Sequence, residues 1–328
     1  MPRAVIGREF GPPESYRLEA YDPGPPKAGE VRVAIQVAGI SYVDVLTAMG
    51  QYQFKPPLPF IPGSEYAGVV EAVGEGVGGF APGDRVFGSG LGGIFAERAN
   101  FKAANLSQLP EGMALEAAAV LPVNYMTAYH GLVDRARAQR GETLLVLGAA
   151  GGTGYAAIQV GKHLGLKVIA SASSEEKRRV AQAGGADTSV VAGAADWREQ
   201  VKAANDGKPI DIVYDPVGGE ATELAFRTLG YGGRHLVVGF PAGIPALKTN
   251  LALLKSAALV GVHMRHFSME RPAESAANRV TVMALAAAGT FKPAIARRYP
   301  LEDYVPAMHE AFSGQAAGRI VLVMDPGK

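Results

Sequence analysis

The sequence predicts a doubly wound parallel α/β domain inserted into a mostly antiparallel β domain. Three observations support this fold class. In residues 143–174 (TLLVLGAAGGTGYAAIQVGKHLGLKVIASASS), a strand, a glycine-rich turn, a helix and a second strand follow one another. From about residue 123 onward, short apolar runs alternate with helical patterns, which is typical of a parallel sheet. Residues 1–123 carry short alternating strands between Gly- and Pro-rich stretches, which indicates an antiparallel β domain.

The β domain begins with a strongly alternating segment. Residues 31–37 (VRVAIQV) place an apolar side chain at every second position, as in a half-buried strand. Residues 66–73 and 84–88 continue this pattern and are flanked by glycine or proline. The last apolar run, residues 320–324, is expected to return to this domain.

The α/β domain is predicted from the alternation of strands and helices. Six strands are expected near 144–147, 167–170, 188–191, 211–215, 235–239 and 258–263. The predicted helices between them cover 155–164, 175–183, 195–204, 220–229 and a shorter one near 251–255. Two further amphipathic helices are expected near 276–288 and 302–312. We therefore assign residues 124–264 to the α/β domain, and residues 1–123 and 265–328 to the β domain.

The glycine-rich turn after the first α/β strand is a candidate cofactor site. Glycines 148, 151, 152 and 154 lie between that strand and the next helix. Small residues there let a pyrophosphate approach the backbone, where the helix N-terminus stabilises its charge. The dinucleotide fingerprint G-x-G-x-x-G falls on Ala149, Gly151 and Gly154, with alanine in the first position. The alternative is a purely structural turn. The position of the glycines after a strand and before a helix favours cofactor binding over this alternative.

Composition excludes several classes of protein. The 328 residues include 48% hydrophobic residues, enough for two cores, and no cysteine. Without cysteine there is neither a disulfide nor a thiolate ligand for zinc. Lys and Arg total 32 against 31 for Asp and Glu, so no charge bias favours nucleic acid or a membrane surface. No signal peptide or run of roughly eighteen apolar residues is present, and we expect a cytoplasmic protein without a membrane span.

Several motifs resemble one family over nearly the whole chain. The sequence is similar to the zinc-independent quinone oxidoreductases among the medium-chain dehydrogenase/reductases. The resemblance implies a GroES-like β-barrel catalytic domain with an inserted Rossmann domain, and a homodimer formed by pairing the last Rossmann strand, about residues 258–263. The matching segments are AGISYVDVLTAMGQY (38–52), PGSEYAGVVEAVGEGV (62–77), GDRVFG (83–88), NYMTAYHGL (124–132), GAAGGTGYAAIQVGKHLG (148–165), DIVYDPVGG (211–219), GGRHLVVGF (232–240) and GRIVLV (318–323).

The zinc-independent branch is indicated by two serines. Zinc-dependent relatives carry cysteine and histidine where this chain has Ser41 and Ser64. Neutral hydroxyls are poor zinc ligands, so we expect no metal site. Without a Lewis acid, oxidation of a simple alcohol is disfavoured. Hydride transfer to an electron-poor acceptor, such as a quinone or an enone, is still feasible.

The end of the second Rossmann strand predicts NADPH as the cofactor. NAD-binding folds place an acidic residue there, whereas residues 170–174 read ASASS. The hydroxyls of Ser171 and Ser173 would therefore meet a 2′-phosphate without repulsion, and Lys177 matches the family's phosphate-binding lysine. The alternative is that a serine at 173 or 174 caps the next helix, with Glu176 completing a capping box. Capping and phosphate binding are compatible.

The resemblance implies further cofactor contacts. Thr127 matches a threonine near the nicotinamide, and Gly239 and Phe240 match the lining of the nicotinamide pocket. Val217 is expected to offer backbone contacts, and Arg319 matches a position near the cofactor. The structural alternatives are a helix-start hydroxyl for Thr127, a core aromatic for Phe240 and a surface arginine for Arg319. In full, the predicted cofactor residues are Thr127, Gly151, Gly152, Thr153, Gly154, Ser171, Ser173, Lys177, Val217, Gly239, Phe240 and Arg319.

Two residues of the β domain are candidate catalytic groups. By the resemblance, Ser41 replaces a family asparagine, and Tyr52 matches an aromatic that faces the nicotinamide. Our hypothesis is that both donate hydrogen bonds to the acceptor's carbonyl as negative charge develops there. Asp44 and Glu65 are interpreted as buried structural carboxylates, because hydride transfer to a quinone needs little positioned proton chemistry. The histidines show no metal-ligand spacing.

Three functions are compatible with these features. The first is an NADPH-dependent quinone reductase, and the second is an NADPH-dependent reductase of enones, enals or enoyl-thioesters. A long acyl-CoA substrate would need basic residues at the cleft, for which Arg265 with His266, or Arg297 with Arg298, are candidates. The third is a non-catalytic NADPH-binding protein, as some relatives are lens crystallins or bind RNA. The near-neutral charge disfavours RNA.

Overall fold

The chain divides into two compact units in a computed structural model that describes residues 1–324. The first unit comprises Met1–Val123 and the chain from Ile295 onward, and the second comprises Asn124–Ala294. Residues 265–294, which the sequence analysis assigned to the β domain, therefore lie in the second unit. They hold two helices, one of which is tied to that unit by the Asn278 amide, 2.7 Å from the Asp134 carboxylate. Residues 325–328 of the predicted β domain lie outside the described residues.

The described strands and helices are numbered in chain order. The strands are β1 (Arg3–Ile6), β2 (Arg17–Ala20), β3 (Glu30–Ile40), β4 (Glu65–Val73), β5 (Arg85–Ser89), β6 (Arg98–Lys102), β7 (Leu106–Gln108), β8 (Thr143–Val146), β9 (Lys167–Ala172), β10 (Thr188–Val191), β11 (Ile210–Asp215), β12 (Leu229–Val237), β13 (Ala258–Gly261), β14 (Ile295–Pro300) and β15 (Arg319–Val323). The α-helices are α1 (Tyr42–Ala48), α2 (Leu115–Ala118), α3 (Pro122–Tyr129), α4 (Gly152–His163), α5 (Glu175–Ala183), α6 (Trp197–Ala204), α7 (Glu220–Phe226), α8 (Asn250–Lys255), α9 (Met264–Glu270), α10 (Pro272–Ala287) and α11 (Tyr304–Ser313). A π-helical segment, His130–Arg135, follows α3.

The first unit is built on a mostly antiparallel sheet. Its strand order is β14–β15–β3–β4–β5–β7, and β6 also pairs with β3. The long strand β3 buries Val31, Val33, Ile35 and Val37 on one face, as their alternation predicts. Because β15 pairs antiparallel with β3, the last strand returns to the first unit as expected.

The second unit is a six-stranded parallel sheet in the order β10–β9–β8–β11–β12–β13. All four residues of β8 are buried, because helices cover both faces of such a sheet. The strand order reverses between β8 and β11, since β9 and β10 follow on one side of β8 and β11 to β13 on the other. In such sheets ligands bind at the carboxyl ends of the strands at this point. The predicted architecture, a doubly wound parallel α/β domain inserted into a mostly antiparallel β domain, is confirmed.

The sequence analysis did not predict the short elements β1, β2, β6, β7 and α1 to α3 of the N-terminal part, and it also missed α9 and β14. The segment of α9 (MRHFSME) contains no fully buried residue, so it carries no strong apolar periodicity. Strand β14 (IARRYP) has two consecutive arginines and ends in proline, and its residues are exposed or half-buried. Within residues 1–324, no helix is both long and apolar enough to cross a lipid bilayer.

Candidate active site

The glycine turn that follows β8 is tightly closed. Gly148 has a left-handed φ of +54°, and its carbonyl accepts a 2.9 Å hydrogen bond from the Gly151 amide. A Cβ atom on Gly154 would lie only 2.3 Å from the Gly148 carbonyl oxygen. The left-handed turn is therefore made by Gly148, one residue before the fingerprint position held by Ala149. Ala149 is instead fully buried.

Helix α4 begins inside this glycine turn. The predicted start was Tyr155, but the helix starts at Gly152 with Gly151 as its N-cap. Glycine is a poor helix former, which hides the first turn from sequence patterns. No side chain caps this N-terminus, so its first N–H groups point into the turn without a protein side chain as partner. Gly154 lets α4 pack closely against the Gly148 carbonyl. This cradle, made by the glycine turn and the start of α4, fits the pyrophosphate of a dinucleotide.

The α4 N-terminus is linked to α3 by a polar contact. The Thr153 hydroxyl donates a 2.9 Å hydrogen bond to the side-chain oxygen of Asn124. Asn124 is buried, and the predicted nicotinamide residue Thr127 lies three positions further along the same helix. The contact places the predicted residues Thr127 and Thr153 on two helices that are fixed to each other.

The end of β9 presents hydroxyls in three different environments. Ser171 is buried, and its Oγ accepts a 2.9 Å hydrogen bond from the Trp197 indole. Ser173 is exposed. Ser174 is the N-cap of α5, and its Oγ accepts from the Lys177 amide at 3.2 Å. Of the predicted pair, Ser173 is therefore the open hydroxyl, whereas Ser171 serves the packing of Trp197.

The alternative that a serine caps α5 holds for Ser174, but the capping box with Glu176 does not form. With Ser174 as N-cap, the third helical position is Lys177, so Glu176 cannot reach back to the cap. The Lys177 side chain is half-buried. Burial lowers the pKa of its ammonium, and the charge of Glu176 opposes that shift. Lys177 lies in the first turn of α5, four residues after the exposed Ser173, so both are candidates for binding a 2′-phosphate.

The end of β11 is organised by Asp215. Its Oδ1 accepts hydrogen bonds from the amides of Val217 and Gly218, each at 2.9 Å. Its Oδ2 lies 2.6 Å from the Thr222 hydroxyl and 3.0 Å from His235 Nε2. Burial alone would raise the pKa of Asp215, but the hydrogen bonds from His235, Gly218 and Thr222 outweigh it and lower the pKa. Asp215 therefore fixes the backbone at Val217, a predicted cofactor contact.

The loop after β12 carries the other predicted nicotinamide residues. Gly239 lies two residues after the end of β12, and the Phe240 side chain is 41% exposed. This exposure disagrees with the alternative of Phe240 as a core aromatic. The Ala242 amide donates to the Val217 carbonyl at 2.9 Å, so the loop is attached to the turn after β11.

In the first unit, Ser41 is engaged with Asp44. The Ser41 hydroxyl donates to Asp44 Oδ2 at 2.6 Å, and the two residues form a capping box at the start of α1. Burial raises the pKa of Asp44, while hydrogen bonds from Ser41 and Ser64 oppose the shift. The Ser41 proton is directed at Asp44, so donation to an acceptor requires the hydroxyl to rotate. Tyr52 is half-buried and lies beyond α1, outside regular secondary structure.

Arg319, a predicted cofactor residue, is buried in an ion pair of the first unit. Its Nη2 donates to Glu65 Oε2 at 2.8 Å, and Oε1 of Glu65 accepts from the Val123 amide at 2.8 Å. Burial raises the pKa of Glu65 to about 7, against the charge of Arg319 and with a further contribution from Asp44. The expectation that Glu65 is a buried structural carboxylate agrees with this placement, and Arg319 is not a surface residue.

Comparison with known proteins identifies the family. Residues 27–111 match the alcohol dehydrogenase GroES-like domain, and residues 152–279 match the domain described as zinc-binding dehydrogenase. Quinone oxidoreductase-like protein 2 of Bos taurus is 36% identical over 93% of this chain and 88% of its own length. Human quinone oxidoreductase is 32% identical over 98% of both chains. The chain belongs to the quinone oxidoreductase family.

Similar solved structures agree with this assignment. The Escherichia coli quinone oxidoreductase complexed with NADPH is 28% identical, with a TM-score of 0.87 over 98% of this chain and 99% of that one. A probable oxidoreductase from Mycobacterium abscessus is 32% identical, with a TM-score of 0.88 over 98% of this chain and 99% of that one. As a quinone oxidoreductase family member of the medium-chain dehydrogenase/reductases, the chain is an oxidoreductase.

The two serines at the zinc-ligand positions of zinc-dependent relatives are both engaged with Asp44. Ser41 binds it at 2.6 Å, and Ser64 contributes a further side-chain hydrogen bond. Within the part of the chain that the structure describes, no three His, Asp or Glu side chains are grouped to hold a metal ion.

The sequence analysis gave no individual role to Gly148, which it named only within the glycine turn, or to Asn124, Asp215 and His235. The position of Gly148 directly after a buried strand was the available signal for the first. An aspartate at the carboxyl end of a parallel strand was the signal for Asp215. No sequence signal marks Asn124 or His235, because their partners lie 29 and 20 residues away.

Proposed function

We propose that this quinone oxidoreductase family member transfers hydride from NADPH to a quinone without a zinc ion. The proposal depends most on the cradle formed by Gly148, Gly151 and Gly154 at the uncapped start of α4. The cradle would hold the pyrophosphate, and Ser173 and Lys177 would hold the 2′-phosphate. Bound NADPH supplies the hydride. The family relatives described above, one of them a complex with NADPH, support this reading.

The acceptor would be oriented by residues of the first unit. Tyr52 would donate a hydrogen bond to the acceptor's oxygen as negative charge develops on it. Ser41 would donate a second one after its hydroxyl turns from Asp44, and the Ser41 amide would still occupy that carboxylate at 2.7 Å. The buried carboxylate therefore loses only one of its donors when Ser41 turns.

A coenzyme A ester is less well supported as the acceptor. Of the arginines considered for such a substrate, Arg298 lies 3.2 Å from Glu116 and Arg297 lies 3.4 Å from Glu310. His266 also faces an acid, Glu270, at 3.6 Å. These partners offset the positive charge that a coenzyme A phosphate would need.

The first experiment is an NADPH and NADH oxidation assay with a naphthoquinone, an ortho-quinone, an enone and acryloyl-CoA. We expect turnover of the quinones with NADPH. Turnover of the enone or thioester alone would replace quinone reduction by alkene reduction. Binding of NADPH with no turnover of any acceptor would favour a non-catalytic NADPH-binding protein. Quinone turnover that survives dialysis against a strong chelator, with less than one zinc per chain, supports the zinc-free mechanism.

We also propose that the protein is a homodimer that pairs β13 with its copy. Strand β13 is an edge strand, with β12 on one side only, and its Leu259 is 49% exposed. Leu253 and Leu254 of the adjacent α8 are 80% and 74% exposed. Exposed edge strands and apolar patches are typical of association surfaces. Light scattering should give twice the chain mass, and L254E with L259E should give the monomer mass.

A further inference from the structure

His235 contacts the Asp215 carboxylate, and neither the proposed hydride transfer nor the proposed cofactor contacts involve this histidine. The imidazole is fully buried, and its Nε2 lies 3.0 Å from Asp215 Oδ2. An ionised carboxylate only accepts hydrogen bonds, so the Nε2 atom carries the proton and donates it. The lowered pKa of Asp215, in which the hydrogen bond from His235 opposes the effect of burial, agrees with an ionised carboxylate.

The other nitrogen of His235 is unsatisfied. Its Nδ1 is buried and has no hydrogen-bond partner among the residues that the structure describes. The ring packs against Phe226, with their centroids 5.9 Å apart. An apolar side chain would fill this position without leaving a buried polar atom unpaired. What distinguishes His235 from such a residue is the hydrogen bond that its Nε2 donates to Asp215.

Asp215 connects His235 to the turn that follows β11. Its Oδ1 accepts hydrogen bonds from the backbone amides of Val217 and Gly218, each at 2.9 Å. Gly218 and Gly219 are left-handed, with φ of +74° and +62°. A backbone of this kind depends on its surroundings to stay in one conformation, and the carboxylate supplies two of the fixing contacts.

The same turn holds the loop after β12. The Ala242 amide donates to the Val217 carbonyl at 2.9 Å, and the Gly219 amide donates to the Gly243 carbonyl at 2.8 Å. This loop contains Gly239 and Phe240. The hydrogen bonds therefore run from His235 through Asp215 to both loops that carry the nicotinamide-end residues of the proposed site.

We propose that His235 is a positioning residue, which acts through Asp215 to fix the loops at the nicotinamide end of the cofactor site. The inference rests on the proposed NADPH site. His235 is fully buried and is not proposed to contact the cofactor. The adenosine-end residues lie outside this network, because Ser173 follows β9 and Lys177 lies on α5. Hydride transfer depends steeply on the alignment of donor and acceptor, so small loop displacements reduce its rate.

The experiment compares two substitutions of His235 using two ligands. H235L removes the Nε2 donor, whereas H235Q places an amide N–H near the same position. For each variant we would measure the dissociation constants of NADPH and of 2′,5′-ADP, which carries only the adenosine end. We expect H235L to weaken NADPH roughly 10-fold and to leave 2′,5′-ADP unchanged, as loss of one fixing contact at one end of the ligand predicts. H235Q should restore NADPH binding to within about 3-fold of wild type.

A second substitution keeps the test meaningful if H235L fails to fold. T222V removes the other donor to Asp215 Oδ2, a 2.6 Å hydrogen bond, and nearly preserves the side-chain shape. It should show the same selective loss of NADPH over 2′,5′-ADP. The inference is overturned if the variants bind both ligands as wild type does, or if they lose both ligands equally.

The two proposals fail in different ways. Neither binding measurement needs an acceptor, so a wild-type protein that binds NADPH but reduces no quinone would refute the reaction and leave the His235 measurement intact. Conversely, full quinone turnover with unchanged NADPH binding in H235L would refute the positioning role alone. Where turnover is found, H235L should also lower the single-turnover hydride transfer rate more than H235Q does.

Discussion

The Nη2 nitrogen of Arg319 lies 2.8 Å from the Oε2 oxygen of Glu65, although 254 residues separate them in the chain. The side chains are 9% and 0% exposed. A second nitrogen of the arginine, Nε, is buried without a partner among the described residues. The Arg319 guanidinium therefore binds a buried carboxylate of its own unit. This is a structural role, whereas the sequence analysis expected a contact with the cofactor.

Replacing Arg319 should lower the free energy of unfolding of the protein. R319M leaves Glu65 buried without its cation, and removal of one partner of a buried pair costs about 3–5 kcal/mol. Urea titration should show this as a lower free energy of unfolding. The matched control is R298A, which removes a largely exposed pair with Glu116 and should cost less than about 1 kcal/mol. If R319M had normal stability but bound NADPH much more weakly, Arg319 would be a cofactor-binding residue and the structural role would be refuted.

Glu65 should make stability fall as pH rises. Its pKa in the folded protein is about 7, above the ordinary value of 4.5, so the folded state binds more protons than the unfolded chain between these values. The free energy of unfolding therefore decreases across this window, by about 3 kcal/mol in total, and the contribution is fully present below pH 4.5. The test is the unfolding free energy of wild type minus that of E65Q between pH 4.5 and 8. A difference that does not change with pH would contradict the shifted pKa.

Lys177 should decide between NADPH and NADH. K177A removes the cation proposed for the 2′-phosphate, so kcat/KM should fall about 10-fold for NADPH and stay unchanged for NADH. R179A is the control, since Arg179 pairs with Glu175 on the same helix. Equal losses with both cofactors in K177A would place Lys177 outside the phosphate site.

Gly154 should tolerate no side chain. The Cβ of G154A would lie 2.3 Å from the Gly148 carbonyl oxygen, so the turn or α4 must shift. Forced overpacking of this kind costs about 1–3 kcal/mol, and we expect NADPH affinity to fall at least 10-fold. In G78A the new Cβ meets no heavy atom within 4 Å, and both affinity and stability should match wild type. Wild-type affinity in G154A would show that the cradle is not used.

The sequence predicted the sheet better than the site. Buried runs and helical periodicity depend on residues close in the chain. They located β8 to β13 to within two residues, except that β12 begins six residues before its predicted start. Strand β14 was not predicted, because a segment with two arginines and a terminal proline is typical of a loop. Only its pairing with β15 shows that it is a strand. Helices α9 and α10 were assigned to the wrong unit for the same reason, since contacts such as Asn278 with Asp134 span 144 residues.

Side-chain partners in the site were the least predictable feature. Ser174, rather than Ser173, caps α5, and this one-residue difference excludes Glu176 from the capping box. Ser171 was assigned to the cofactor, but its hydroxyl accepts from Trp197, 26 residues away. Both outcomes depend on side-chain directions at the end of β9, which composition and periodicity do not specify.

The position of β15 has a consequence for synthesis of the chain on the ribosome. Strand β3 is made early, but its neighbour β15 emerges only after the entire second unit, Asn124–Ala294, has been translated. The second unit, in contrast, has all its strands in one continuous stretch. We therefore expect the later-made unit to reach its native fold first on the nascent chain. Until Arg319 leaves the ribosome, the Glu65 carboxylate has no positively charged partner with which it can be buried. Over the same period, the edge of β3 that β15 will cover is accessible to chaperones.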